Sequence, residues 1–343
     1  MIRAARRGFR WPGLALIALL ASCGTAPDVD PVPPQPRPAL PAPQKSGPSQ
    51  AEIRKARAER NRTVNAAAAD ARDSASRTSR TLTAEYAGIE RRLRADGRLR
   101  RERVPMDAPI DAGLLARNFM QIALRDEYRR EGSEMVADAH SAPLRRWQAP
   151  VRFQVEFGDS ADAALRATYR SEIADFAARL QRASGHSVGL SDSGGNFLVL
   201  VLNEDERRNL GPLLARLIPD LPSPDVATLR DLDPGNFCTV FAYSRGRSAV
   251  YVRAVALIRA ELPALLRSSC IHEELAQGMG LANDSPQARP SIFNDDEEFA
   301  LLTRHDELLL KILYDPRLRP GMSEAEAAPI VRKIAAELLG EET

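Results

Sequence analysis

Chemistry in this chain has few places to sit. Of its 343 residues only four are histidine and three cysteine. There is no His-Glu-x-x-His helix, no glycine-rich phosphate loop and no Gly-x-Ser-x-Gly elbow. Reactive residue types gather instead in one stretch, Cys270-Ile-His-Glu-Glu-Leu-Ala-Gln-Gly-Met-Gly-Leu-Ala-Asn-Asp284. Read from His272, a zinc helix would place its second ligand at Ala276, and Gln277, five residues on, is rotated about 140° away from His272. One residue later the spacing improves. Glu273 and Gln277, four apart, share a helix face, Glu274 sits between them in the general-base position, and a turn at Gly280 would return Asn283 toward them. Glu273 and Glu274 are the candidate catalytic pair, and Glu273, Gln277, Asn283 and Asp284 the candidate binding set. Amide oxygens are poor zinc ligands, and an all-oxygen set suits a hard cation such as calcium or magnesium, if any metal. A base without metal-activated water has little to deprotonate. No cofactor is therefore expected, and zinc least of all.

The elements that must position these residues can be read from periodicity. Val151–Phe157 alternates as a strand with one buried face, and Phe197–Leu202 is apolar throughout, as a buried strand is. Residues 161–183 repeat Leu165, Tyr169, Ile173, Phe176 and Leu180 at helical spacing. A first helix carries Leu114, Phe119, Ile122, Leu124 and Tyr128, and another runs from Glu204 to Ile218. Cys238–Tyr243 and Ala249–Ile258 read as strands around a Ser244–Arg247 turn. Helices follow at Leu262–Met279, Leu301–Tyr314 and Pro329–Leu339. The order predicts an α+β domain over residues 105–343, with a mixed sheet, a motif helix and C-terminal helices.

Upstream lies a different kind of chain. Arg3, Arg6, Arg7 and Arg10 precede the apolar run Leu14–Ala21, which is too short for a permanent span but suits a signal peptide over residues 1–22. The run ends in Leu20-Ala21-Ser22-Cys23, which resembles the lipobox of bacterial lipoproteins. That resemblance implies cleavage before Cys23, lipid on its sulfur, and anchorage in the cell envelope facing the periplasm. Gly24 after the cysteine favours the outer membrane by the same analogy. Residues 23–50 hold nine prolines between Pro27 and Gln50, a polyproline-type tether. Residues 51–104 are rich in Ala and Arg and carry Leu82, Tyr86, Ile89 and Leu93 at helical spacing. They read either as a basic helical arm touching anionic surfaces or as a solvated stalk. With Cys23 lipidated, Cys238 and Cys270 are the remaining thiols, and in an oxidising compartment they are expected to form one disulfide.

Charge follows this division. The whole chain is +2, but residues 51–104 hold 15 basic against 8 acidic residues, and 105–343 hold 27 against 36. An acidic domain behind a basic arm argues against nucleic acid as a partner.

The globular part resembles the proteobacterial lipoprotein family of domain of unknown function 2927. The resemblance is carried by Glu273–Asp284, by Ser291-Ile-Phe-Asn-Asp295 and by Leu313-Tyr-Asp-Pro-Arg-Leu318. More distantly it is similar to zincin peptidases of the metzincin type. Glu273, Glu274, Gln277, Gly280 and Asn283 stand where that pattern has His, Glu, His, Gly and His. Pro290–Asn294 looks like its Met-turn with Phe293 for Met, and Leu302-Thr-Arg-His-Asp306 like the start of its last helix. This likeness implies a zincin-like fold that has lost zinc hydrolysis. Three readings stay open: a pseudo-peptidase that binds an envelope protein or peptide, an atypical hydrolase using Glu273 and Glu274, and a structural envelope stalk. An open cleft beside the two glutamates favours the first two, and a filled one the last.

Overall fold

Phe197–Leu202 is buried at every position, and it forms the centre of the fold. The computed structural model describes residues 47–131, 134–294 and 296–341, with the backbone alone for 127–139. The signal segment, Cys23, nearly all of the tether and Asp295 lie outside the described residues.

In chain order, α1 (Gln50–Asp73) and α2 (Arg77–Ala95) precede α3 (Ala112–Ala123) and a hairpin of β1 (Arg125–Glu131) and β2 (Glu134–Ser141). Then come β3 (Arg146–Trp147), β4 (Val151–Phe157), α4 (Ala163–Ser184), β5 (Val188–Leu190) and β6 (Phe197–Leu202). Short helices α5 (Glu204–Arg208), α6 (Gly211–Leu217) and α7 (Ser223–Arg230) lead to β7 (Cys238–Ser244) and β8 (Val250–Arg259). Helices α8 (Ala264–Gln277), α9 (Arg304–Leu313) and α10 (Glu324–Leu339) follow.

The fold is mixed α/β. The strands run β3-β8-β6-β4-β5, all parallel, and β7 pairs antiparallel with β8 from Cys238 opposite Ile258 to Ser244 opposite Tyr251. Side chains of a strand alternate between its faces, so β6 feeds two cores. Phe197, Val199 and Val201 join the larger core, which takes in α2, α3, α4 and α8 to α10. Leu198, Leu200 and Leu202 join a smaller one with Leu210, Leu214 and Leu229 of the α5–α7 region. A parallel sheet covered on both faces is the usual solution for such uninterrupted apolar strands.

Three expectations need correction. The first helix stops at Ala123, and Tyr128 lies in β1, because Arg125–Glu131 is a charged run that pairs with β2 instead of continuing an apolar stripe. The helix from Glu204 to Ile218 is two helices, since Pro212 at the start of α6 has no N–H to bond back into α5. The last helix begins at Glu324, where Ser323 and Glu326 form a capping box.

The residues from 51 to 104 do not stand apart from the domain. One compact unit starts at Gln50, and Leu82, Tyr86 and Leu99 are buried in the larger core. Ile89 and Leu93 pack against it, so the stripe at helical spacing is the docked face of α2.

Candidate functional site

Helix α8 carries the motif and is held at both ends. Its N-cap is Pro263, which has no capping side chain, and the open N–H groups of Leu265 and Leu266 donate to Glu90 of α2 at 3.0 and 3.1 Å. A carboxylate there also meets the positive end of the helix dipole. At the other end, Trp147 Nε1 donates to the Gly278 carbonyl at 2.8 Å and Tyr314 Oη to that of Met279 at 2.9 Å. Orphan carbonyls of the last turn are thereby satisfied. Gly278 lies against the Phe197 ring, where a Cβ would collide with it. Gly280 has φ +123° and sits against the Arg145 carbonyl, so the turn that ends the motif admits no side chain.

Glu273, Glu274, Gln277 and Gly278 share one face of α8 and line a cleft of about 730 Å³. The turn at Gly280 returns the chain so that Asp284 also lines it, and Gln277 Nε2 donates to Asp284 Oδ1 at 3.0 Å. Asn283 goes elsewhere. Its Nδ2 donates to the carbonyls of Gln121 and Asp284 at 2.8 and 2.7 Å, and its N–H to that of Ile122, so it secures the end of α3. Four of the five candidate residues are thus brought together, and the fifth is a packing residue.

The opposite wall is β7 from Cys238 to Ala242 with the loop that precedes it. Cys238 is joined to Cys270 of α8 by the expected disulfide, Cα to Cα 5.9 Å, which fastens the two walls. Asp231 and Glu297 add acid to the cleft, and burial pushes the Glu297 carboxyl up from its ordinary value. Among the described residues the one arginine on the lining is Arg145, which is engaged by both oxygens of Asp126 at 2.5 and 2.7 Å. Among the described residues, Cys238 Sγ and one carboxylate oxygen each of Glu273 and Glu274 lie within 4.8 Å of one another.

The wall loop is held from below by a buried ionic cluster. Glu204 accepts from Arg207, Arg208 and Arg259, with Arg259 at 2.7 Å. Desolvation would raise the Glu204 carboxyl, but the three guanidinium bonds prevail and hold it down at about 2. Arg259 spends its other N–H groups on the carbonyls of Leu232, Asp233 and Asn236, and Arg207 reaches those of Leu229 and Arg230. Tyr86 of α2 donates to Pro234 O at 2.9 Å. Neither this cluster nor Asp231 and Glu297 is legible from spacing. The β7 wall did have a signal, since the expected disulfide already ties it to α8.

His272 and His305 do not line the cleft. His272 stacks on Phe176 at 4.1 Å and accepts from the Leu302 N–H at 3.0 Å, and burial, assisted by Arg179, lowers it to about 3. It is a neutral acceptor in the core. Thr303 and Asp306 cap α9, while His305 is buried with Nε2 3.0 Å from Asn118 Nδ2. Buried Asp306 accepts from Ser291 Oγ, Ile292 N and Thr303 at 2.6 to 3.2 Å, which pins the turn at 290–294. Ser285 N donates to the Phe293 carbonyl of that turn. The second and third stretches of the resemblance therefore carry structure: one supplies this turn, the other supplies Tyr314.

A family model described as "Protein of unknown function (DUF2927)" matches residues 113–333. No curated protein and no solved structure matches the chain.

Proposed function

Since the chain belongs to the DUF2927 family, whose description names no activity, we propose a function from its own site: an envelope lipoprotein, anchored through lipid on Cys23, whose domain is a zincin-like fold turned from hydrolysis to binding. In this reading the cleft captures an extended, basic peptide segment of an envelope protein. The observation that carries it is the open, acid-lined cleft beside Glu273 and Glu274. Its volume falls within the range of specific ligand sites. Its acids outnumber its one arginine, which is already bound to Asp126. Strand β7, which forms one wall, pairs with β8 alone among the described residues, and its second edge can accept the backbone of an added strand.

The positions that would hold zinc in the peptidases support binding over metal hydrolysis. Asn283 is spent on backbone carbonyls, and the Gln277 amide is engaged with Asp284. The lipid anchor and the periplasmic, outer-membrane address rest on Leu20–Cys23 and Gly24. Titration of the disulfide-bonded chain with a labelled Arg/Lys-rich peptide tests the cleft. It should bind, weaken with salt, and weaken about tenfold in Glu273→Gln/Glu274→Gln, which corresponds to about 1.4 kcal/mol. An acidic peptide of equal length that binds as well would sink the reading. For the anchor, Cys23→Ala should leave the chain without incorporated palmitate and outside the membrane fraction.

A second reading has one observation in its favour: the Glu273 and Glu274 carboxylates approach within 4.8 Å, close enough to work as an acid–base pair. Hydrolysis of the captured peptide that vanishes in either single glutamine variant would establish it.

A further inference from the structure

Beside its two glutamates the cleft holds a third donor atom, and a covalent bond occupies it. Cys238 Sγ lies within 4.8 Å of a carboxylate oxygen of both Glu273 and Glu274. That sulfur is bonded to Cys270 and offers no thiolate. The two ends of the bridge differ. Cys238 is half-buried on the cleft wall, whereas Cys270, on the covered side of α8, is 2% exposed. We propose that the disulfide is a redox latch on a metal site: once it is reduced, Cys238, Glu273 and Glu274 together bind zinc or another thiophilic divalent cation in the cleft.

The chemistry of the donor set changes with that bond. With the bridge closed, the cleft offers carboxylate and amide oxygens, a set for hard cations. Opening it adds a thiolate, and one sulfur with two carboxylates gives the three protein ligands and one open position typical of an accessible zinc site. Zn–S and Zn–O bonds of about 2.3 and 2.0 Å put tetrahedral donors about 3.5 Å apart. The present separation must close by about an ångström, a movement within reach of side-chain torsions once the sulfurs part. Two neighbouring carboxylates disfavour a bare thiolate. A bound dication reverses that preference.

The reduction balances with a dithiol as reductant. Its thiolate attacks the accessible Cys238 Sγ, the bond to Cys270 breaks, and the electron pair leaves on Cys270 Sγ, which takes up a proton. The second thiol of the reductant then displaces Cys238 from the mixed disulfide. The reductant ends as a disulfide and the chain as two thiols, two electrons having moved. Metal binding then releases the Cys238 proton to solvent. Zinc therefore makes the bridge easier to reduce, and reduction makes the cleft bind zinc. This inference is independent of peptide capture, which is measured on the disulfide-bonded chain.

The test compares the full chain with its disulfide intact, the same chain reduced by a phosphine, and Cys270→Ser, each titrated with Co²⁺ and then competed with Zn²⁺. The reduced chain and Cys270→Ser should each bind one equivalent at least tenfold more tightly than the disulfide form. Both should show a sulfur-to-cobalt charge-transfer band in the near ultraviolet. The band should vanish in Cys238→Ser/Cys270→Ser, and affinity should fall at least tenfold when Glu273→Gln and Glu274→Gln are added to Cys270→Ser. Equal binding by the reduced and disulfide forms overturns the proposal, as does a band that survives loss of both glutamates. Should Cys270→Ser fail to fold, the reduced chain decides. If that too loses its near-ultraviolet circular dichroism, the bridge is structural only and the proposal falls.

Discussion

Two acidic clusters lie on either side of the loop at 229–237, and they are built in opposite ways. Beneath the loop, Glu204 is fully buried and bonded to three arginines, two of which go on to grip backbone carbonyls of the loop itself. Above it, Glu273, Glu274, Asp284 and Asp231 face an open cleft whose one arginine is bound to Asp126. The first cluster is closed by the protein, so its chemistry is exhausted in holding shape. The second borders an open cleft, where an occupant can reach it. An acid sealed into the interior is structural, and one on the wall of an open cleft is a candidate for function.

That contrast can be broken by mutation, most strongly at Glu204. Glu204→Gln strands Arg207 and Arg259 in the interior and should cost about 3–5 kcal/mol in urea unfolding. Glu273→Gln, on the cleft side, should cost less than about 1 kcal/mol. Equal losses would show that the two clusters do the same work. Removing the bridge that fastens the cleft walls comes next. Cys238 and Cys270 are 32 residues apart, and Cys238→Ala/Cys270→Ala should lose about 3–4 kcal/mol by the chain-entropy argument. Smaller again is the salt response of peptide capture. Raising ionic strength should weaken a basic peptide severalfold while leaving urea unfolding unchanged, because the cleft opens to solvent and the Glu204 cluster does not.

A further effect is a slope in pH. His272 is lowered to about 3 in the folded chain by burial and by Arg179, whereas an unfolded histidine takes its proton near 6.5. Between those values the unfolded state binds more protons. Stability is therefore whole above about pH 6.5 and declines as pH falls toward 3. Melting temperatures of His272→Phe should show a flatter acid limb than those of the parent chain. An unchanged limb would place the acid sensitivity elsewhere.

The parts legible in the sequence were those with one dominant physical demand. Phe197–Leu202 had to be buried, residues 161–183 had to be helical, and the two cysteines expected to pair do so. Local pattern failed where distant contacts decide. Glu204-Asp-Glu-Arg-Arg208 reads as a solvated run, yet Glu204 and Arg207 are interior because Arg259, 55 residues away from Glu204, arrives between β8 and the loop. Arg125–Glu131 shows no strand alternation in its sequence, and what identifies it as a strand is the pairing of its backbone with β2. Asn283 has the spacing of a ligand, but the turn at Gly280 aims it at α3. Helix α2 looked like a lone arm because its partners, the N-terminus of α8 and Pro234, are remote in sequence.

Gly278 and Gly280 have a consequence for inheritance. Neither position has room for a Cβ, since the Phe197 ring and the Arg145 carbonyl already fill the space. A descendant of this chain could lose every activity of the cleft and still be compelled to keep glycine at both positions in order to fold. Finding that pair of glycines in another protein would be informative about ancestry and packing. Whether such a protein retains a working cleft would have to be judged from its counterparts of Glu273 and Glu274, where the fold exacts no comparable toll.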